Sequence, residues 1–209
     1  MLAYFPDHVH DNAGEYAFEY MRRLGKAAAT VVPKAVSAAA ELLLAATKAG
    51  RRIYSCGNGG SAAIANHLVC DCLKGIRTGT ALRPKVHSLS STVELITAIS
   101  NDISNDEIFA FQLSSLGEAG DLLIAISSSG ASPNIIRALE EAKAIGMSTI
   151  AMTGFSGGGA AQAADVSLHV DCENYGIVED VHQSLMHILA QYTRHAHLDK
   201  IEDLGSLKF

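Results

Sequence analysis

Apolar residues follow two rhythms along this chain, one before and one after residue 50. From Glu15 to Val32 and from Pro33 to Lys48 they recur at helical spacing in alanine-rich stretches, where Pro33 suits a first helical turn and Gly50 a stop. No strand signal occurs there. Beyond residue 50, short unbroken apolar runs alternate with helical patterns: Arg52 to Ser55, Lys85 to Leu89, Leu122 to Ile126, Ser148 to Met152 and Val166 to Val170. Continuous apolarity marks strands buried on both faces, so the pattern predicts an α/β fold with a five-stranded parallel sheet flanked by helices. The last helix, from about Glu179 through Arg194, is apolar on more than one face through Val181, Leu185, Ile188 and Leu189. With the N-terminal helical pair it offers more apolar surface than one sheet can cover, which predicts an oligomer built on helix packing.

Composition narrows the class. With 48% apolar and 18% charged residues, the 209-residue chain reads as one soluble domain, helices over 1–50 and an α/β core over 51–209. A net charge of -6 and the absence of a basic run argue against direct nucleic-acid binding. The start, Met1-Leu2-Ala3-Tyr4-Phe5-Pro6-Asp7, lacks a signal-peptide pattern, and no apolar run approaches the roughly 18 residues that span a bilayer. The expectation is a cytoplasmic protein without membrane contact. Cys56, Cys70, Cys72 and Cys172 form no CxxC pair and read as small buried thiols in a reducing compartment, and Cys70 and Cys72 would project about 200° apart on a helix, which argues against a shared metal.

Two strand-to-helix junctions carry the first chemical signal. In Cys56-Gly57-Asn58-Gly59-Gly60-Ser61 the glycines allow a tight turn and close backbone approach, and the N-H groups of the helix that follows point at whatever binds there. After Leu122-Leu123-Ile124-Ala125-Ile126 comes Ser127-Ser128-Ser129-Gly130-Ala131-Ser132-Pro133-Asn134, with four hydroxyls at a second helix start. One serine would be an N-cap, but four exceed what capping needs, and hydroxyls with first-turn amides hold a phosphate without a metal. No Lys-Ser/Thr pair follows the glycines, which removes the P-loop reading. The dinucleotide fingerprint fails too, because the third glycine is misplaced and no acidic residue ends a second strand about 20 residues on. A small phosphorylated ligand such as a sugar phosphate remains.

His67 and Asp71 are spaced i, i+4 on the helix after the first loop, and Glu179 and Asp180 precede His187 by eight and seven residues. Either His-carboxylate pair alone would read as an ordinary surface pair. Together in a phosphosugar-binding chain, two imidazoles and two carboxylates match the ligand types of zinc, with one open position to polarise a carbonyl. Ideal helix geometry puts Asp180 nearer the face of His187, since i and i+7 differ by about 20° and i and i+8 by about 80°.

The stretches CGNGGSAAIANH, AISSSGASPN, Asn101-Asp102 and VEDVHQSLMHIL resemble a sugar isomerase (SIS) domain, and within that superfamily the bacterial phosphoheptose isomerases. The similarity runs in order over essentially the whole chain. It implies a flavodoxin-like, Rossmann-like SIS fold and a homotetramer that isomerises sedoheptulose 7-phosphate to heptose 7-phosphate, with sites assembled between subunits. It implies that Ser61, Ser127, Ser128, Ser129 and Ser132 hold the phosphate, and that Asn58, Gly59, Asn101 and Asp102 belong to the substrate-binding set. It also implies one zinc per subunit held by His67, Asp71, Glu179 and His187; here the alignment favours Glu179, where helix geometry favours Asp180. Asp71 stands where the family has its basic Glu, Glu179 where it has Gln, and Gly176-Ile177-Val178 replaces the polar Asp and Arg that usually precede that Gln. Two carboxylates neutralise Zn2+, which favours binding and weakens its Lewis acidity. The enzyme reading assigns Asp71 as base and His187 as acid for an enediol isomerisation. The alternative is a non-catalytic phosphosugar-binding regulator, or a relative that associates with a replication initiator.

Overall fold

The structure, a computed structural model, describes residues 4–200, 202, 204 and 205; the first three residues of the N-terminal segment lie outside it. Two N-terminal helices, α1 (Ala13–Ala28) and α2 (Pro33–Lys48), precede the sheet. The first ends four residues before the expected Val32, where Thr30 turns its hydroxyl back onto the Ala27 carbonyl at 2.7 Å and Pro33 opens the next helix. The strands are β1 (Arg52–Gly57), β2 (Lys85–Ser88), β3 (Leu122–Ser127), β4 (Ser148–Thr153) and β5 (Val166–His169). All pair in parallel, in the order β2-β1-β3-β4-β5.

Successive residues of the central strands feed opposite cores. Ile53, Leu122, Ile124 and Ile126 join one core with α2, α3 (Gly60–Cys70) and α8 (Tyr175–His195). Tyr54, Leu123 and Ala125 join the other with α4 (Val93–Asp102), α5 (Ala110–Leu116), α6 (Pro133–Ile145) and α7 (Gly158–Ala163). Because β3 is buried on both faces, it carries no alternation in sequence. Cys56, Cys72 and Cys172 are buried as expected, whereas Cys70, the last residue of α3, is exposed because it lies on the outer side of that helix. No single helix among the described residues is long and apolar enough to cross a membrane.

The strand order places the chain's switch point between β1 and β3, since the connections leaving them run to opposite edges of the sheet. Open α/β sheets bind ligands in the crevice that forms there, at the carboxyl ends of the strands. Both loops singled out from the sequence leave from those ends. α8 begins at Tyr175 because Asn174 accepts the Ile177 N-H at 3.0 Å, so Glu179 and Asp180 occupy regular helical positions.

Candidate active site

The glycine loop turns at Gly59, whose φ of 53° is left-handed and serves as the N-terminal boundary of α3 without a side-chain cap. Gly57 packs so closely that a Cβ would lie 2.5 Å from the Ser61 carbonyl oxygen. The serine loop is locked by a second glycine contact: Gly130 and Gly158, both with positive φ, pack backbone to backbone across to the β4–α7 turn. Asn58 and Asn134 tie the two loops together with reciprocal amide hydrogen bonds of 2.8 and 3.2 Å.

Between the loops lies a cavity of about 130 Å³ lined by Asn58, Ser61, the serines 127, 128, 129 and 132, Tyr175 and Glu179. Ser132 is the N-cap residue of α6 but makes no capping hydrogen bond, and its hydroxyl meets that of Ser127 at 3.4 Å. The Ser128 hydroxyl is buried without a protein partner. A buried hydroxyl with no protein acceptor is free to donate to an anion held among the other donors of the cavity. Among the described residues no lysine or arginine lines this cavity.

The second cluster lies farther along α3 and α8, which run side by side. His187 Nδ1 is 2.6 Å from one Asp71 carboxylate oxygen and His67 Nε2 is 3.2 Å from the other. The two imidazoles meet edge to face at 5.1 Å. Gln183, one turn before His187, reaches its Nε2 at 2.9 Å. Asp71 opens a short π-helical turn, Asp71–Ile76, of a kind often found at functional sites. A cavity of about 160 Å³ adjoins Asp71 and His187.

His67, Asp71 and His187 each offer a ligand atom within 4.8 Å of the others. Two imidazoles and a carboxylate fit zinc with a position left open. Neither carboxylate considered as a fourth ligand belongs to this group. Asp180 accepts a 2.6 Å hydrogen bond from Tyr20 on α1. Glu179 fills the space left by Gly60, where any Cβ would collide with its carboxylate, and faces the serine cavity. Burial, and secondarily Asp180, raise the Glu179 carboxyl above its ordinary range. Asn101 and Asp102 sit at the exposed end of α4, hydrogen-bonded to each other at 2.7 Å, and do not line the serine cavity.

Sequence reasoning passed over Asn134, Gln183 and Tyr175. The last two were readable in principle, since Gln183 stands one turn before His187 and Tyr175 one turn before Glu179 on the same helix. Asn134 left no local signal, because its partner is 76 residues away.

Comparison with known proteins places the chain in a family. The SIS domain family matches residues 15–154. The phosphoheptose isomerase of Shewanella denitrificans is 39% identical over 165 residues, 78% of this chain and 84% of the relative. That of Nitratidesulfovibrio vulgaris is 39% identical over 146 residues, 70% of each chain. Among solved structures, phosphoheptose isomerase GmhA from Neisseria gonorrhoeae superposes with a TM-score of 0.78 at 33% identity, covering 86% of this chain and 95% of its own. A phosphoheptose isomerase from Francisella tularensis gives 0.79 at 30% identity, covering 88% and 98%. The chain therefore belongs to the SIS domain family, among the phosphoheptose isomerases, and is a phosphosugar isomerase.

Proposed function

We propose that the enzyme interconverts sedoheptulose 7-phosphate and heptose 7-phosphate through a cis-enediol. Ser61 and the hydroxyls of Ser127, Ser128, Ser129 and Ser132 hold the phosphate, and Asn58 and Gly59 belong with them to the substrate-binding set. Asp71 takes the proton from the carbon beside the carbonyl, His187 returns one to the neighbouring carbon, and a hydroxyl proton passes from the oxygen on the first carbon to the former carbonyl oxygen. Their hydrogen bond lets the proton pass between them, so both regain their starting states after turnover. The observation that carries this reading is the 2.6 Å Asp71–His187 contact on the two helices whose first turns flank the serine cavity. Eight residues of α8 separate Glu179 from His187, about 12 Å along the axis, which leaves room for a sugar chain between phosphate and acid-base pair.

Zinc would be held by His67, Asp71 and His187, one ion per subunit, and would supply Lewis acidity toward the sugar oxygens; Glu179, the fourth ligand that the family resemblance implies, would have to turn from the serine cavity to reach it. The assembly is a homotetramer in the cytoplasm. A groove of about 330 Å³ between α2 and α8, with Ile188 49% and Tyr192 57% exposed, supports helix-to-helix association. Asn101 and Asp102 join the substrate only across such a contact, because within one chain they stand apart from the cavity. Incubation with sedoheptulose 7-phosphate in deuterated water tests the reaction: deuterium is expected at C1 or C2. Binding without exchange would make the chain a phosphosugar-binding regulator instead.

A further inference from the structure

Tyr175 is the first residue of α8, lines the serine cavity, and is 59% exposed. A solitary exposed aromatic needs no explanation. This one is not solitary, because the Phe155 ring packs against it at 4.7 Å between centroids with the planes 49° apart.

Phe155 is the residue that makes the pair informative. Its φ of 49° is the positive value that a bulky side chain rarely adopts, and it is the one non-glycine residue in that region among those described. Glycines stand all around it, at 154, 157, 158 and 159, yet position 155 carries a ring. Residues held in such conformations cluster at ligand clamps, where the surrounding structure over-determines them. That support is visible here. The Phe155 N-H donates to the Cys172 carbonyl at 3.0 Å, and the Gly154 N-H donates to the Ser128 carbonyl at 2.8 Å. A Cβ on Gly154 would strike Val178 on the first turn of α8. The aromatic pair is thus fixed to the serine loop on one side and to the helix bearing Glu179 on the other.

Apart from Ile126 at the end of β3, the rest of the cavity lining consists of hydroxyls, an amide and one carboxylate. An aromatic face carries negative charge density, so it disfavours phosphate oxygens and favours C-H groups. We propose that Tyr175, backed by Phe155, is a specificity-determining wall that packs on the carbon chain next to the phosphate. This deepens the phosphosugar reading and rests on it. The wall makes the site select an organic phosphate over inorganic phosphate: the serine loop binds both alike, and only the sugar chain reaches the ring.

The test compares sedoheptulose 7-phosphate turnover with competitive inhibition by inorganic phosphate in Tyr175→Ala, Tyr175→Phe and Phe155→Gly. Tyr175→Ala is expected to raise KM about tenfold, the loss lying mainly in KM and not kcat, while the Ki of inorganic phosphate stays within about twofold. Tyr175→Phe should recover most of the affinity for the sugar. Phe155→Gly should raise KM in the same direction while thermal stability holds or rises, because glycine relieves the left-handed backbone. An unchanged KM in Tyr175→Ala overturns the wall. So does a KM and a phosphate Ki that rise together, since that pattern belongs to a collapsed serine loop. Because the chain has no tryptophan, Tyr175→Trp adds a sole reporter whose emission should shift with sedoheptulose 7-phosphate and not with inorganic phosphate. If equilibrium dialysis finds no sugar phosphate bound to the natural chain, the functional reading itself fails and the wall falls with it. Normal binding by both the natural chain and Tyr175→Ala removes the wall alone.

Discussion

Acidification should loosen the helix that carries the site, and His182 sets how much. This residue lies on α8 between Glu179 and His187, is fully buried, and makes no well-formed hydrogen bond at either ring nitrogen, the Thr153 backbone being a marginal partner. Burial drives its value down from 6.5 to about 4; the nearby Thr153 backbone opposes the shift in part, and His169 adds to it. The folded value is depressed, so as pH falls below about 6.5 the unfolded chain takes up the proton first. Stability from this residue is complete above that pH, declines toward about pH 4, and loses nothing further below it. The gap corresponds to roughly 3 kcal/mol, a sizeable part of the 5–15 kcal/mol that holds a typical domain together. His182→Leu removes the titrating group together with two poorly paired nitrogens, so at neutral pH it should be as stable as the natural chain or more so. Urea unfolding of both chains at about pH 7 and about pH 4 gives the measurement, and the difference between them should change by roughly 3 kcal/mol over that interval. Parallel stability curves for the two chains would refute the reasoning and mean that the buried ring is paired or already charged.

Further outcomes follow from the site. Asp71→Asn should lower kcat by about 10²–10⁴-fold while calorimetric affinity for inorganic phosphate is kept, because the base is lost and the serine loop is not; full turnover would remove Asp71 from the chemistry. Ser128→Ala should raise KM by roughly tenfold and leave the melting temperature unchanged or higher, since the hydroxyl it deletes is buried without a protein partner. Adding zinc to metal-free protein should raise the melting temperature, and His67→Ala should abolish the rise. An equal rise in both would place the metal elsewhere.

The sheet was legible because burial on both faces writes an unbroken apolar run, as Leu122 to Ile126 shows. The serine cavity was legible because its donors are neighbours in sequence and the two loops leave adjacent strands. His67 and Asp71 were legible by helical spacing. The surroundings of Glu179 were not. A helical wheel gives a side chain's direction and not what awaits it, and here Tyr20, 160 residues away, claims Asp180 while side-chain-free Gly60 makes room for Glu179. Irregularity at the start of the last helix would have reconciled the alignment with ideal geometry, yet the helix is regular from Tyr175. For Asn101-Asp102, a motif at an exposed helix end says nothing of what lies opposite it in space.

The cation-free lining of the serine cavity has a kinetic consequence. A dianionic substrate approaches a chain of net charge -6 and enters beside Glu179, with no lysine or arginine among the described lining residues to draw it in. Long-range electrostatics then retard encounter, the reverse of the steering that basic active sites provide. Added salt shortens the reach of that repulsion, from about 30 Å at 0.01 M ionic strength to about 8 Å at 0.15 M. Phosphosugar association should therefore quicken as ionic strength rises over this range, where an enzyme that grips phosphate with arginine would slow.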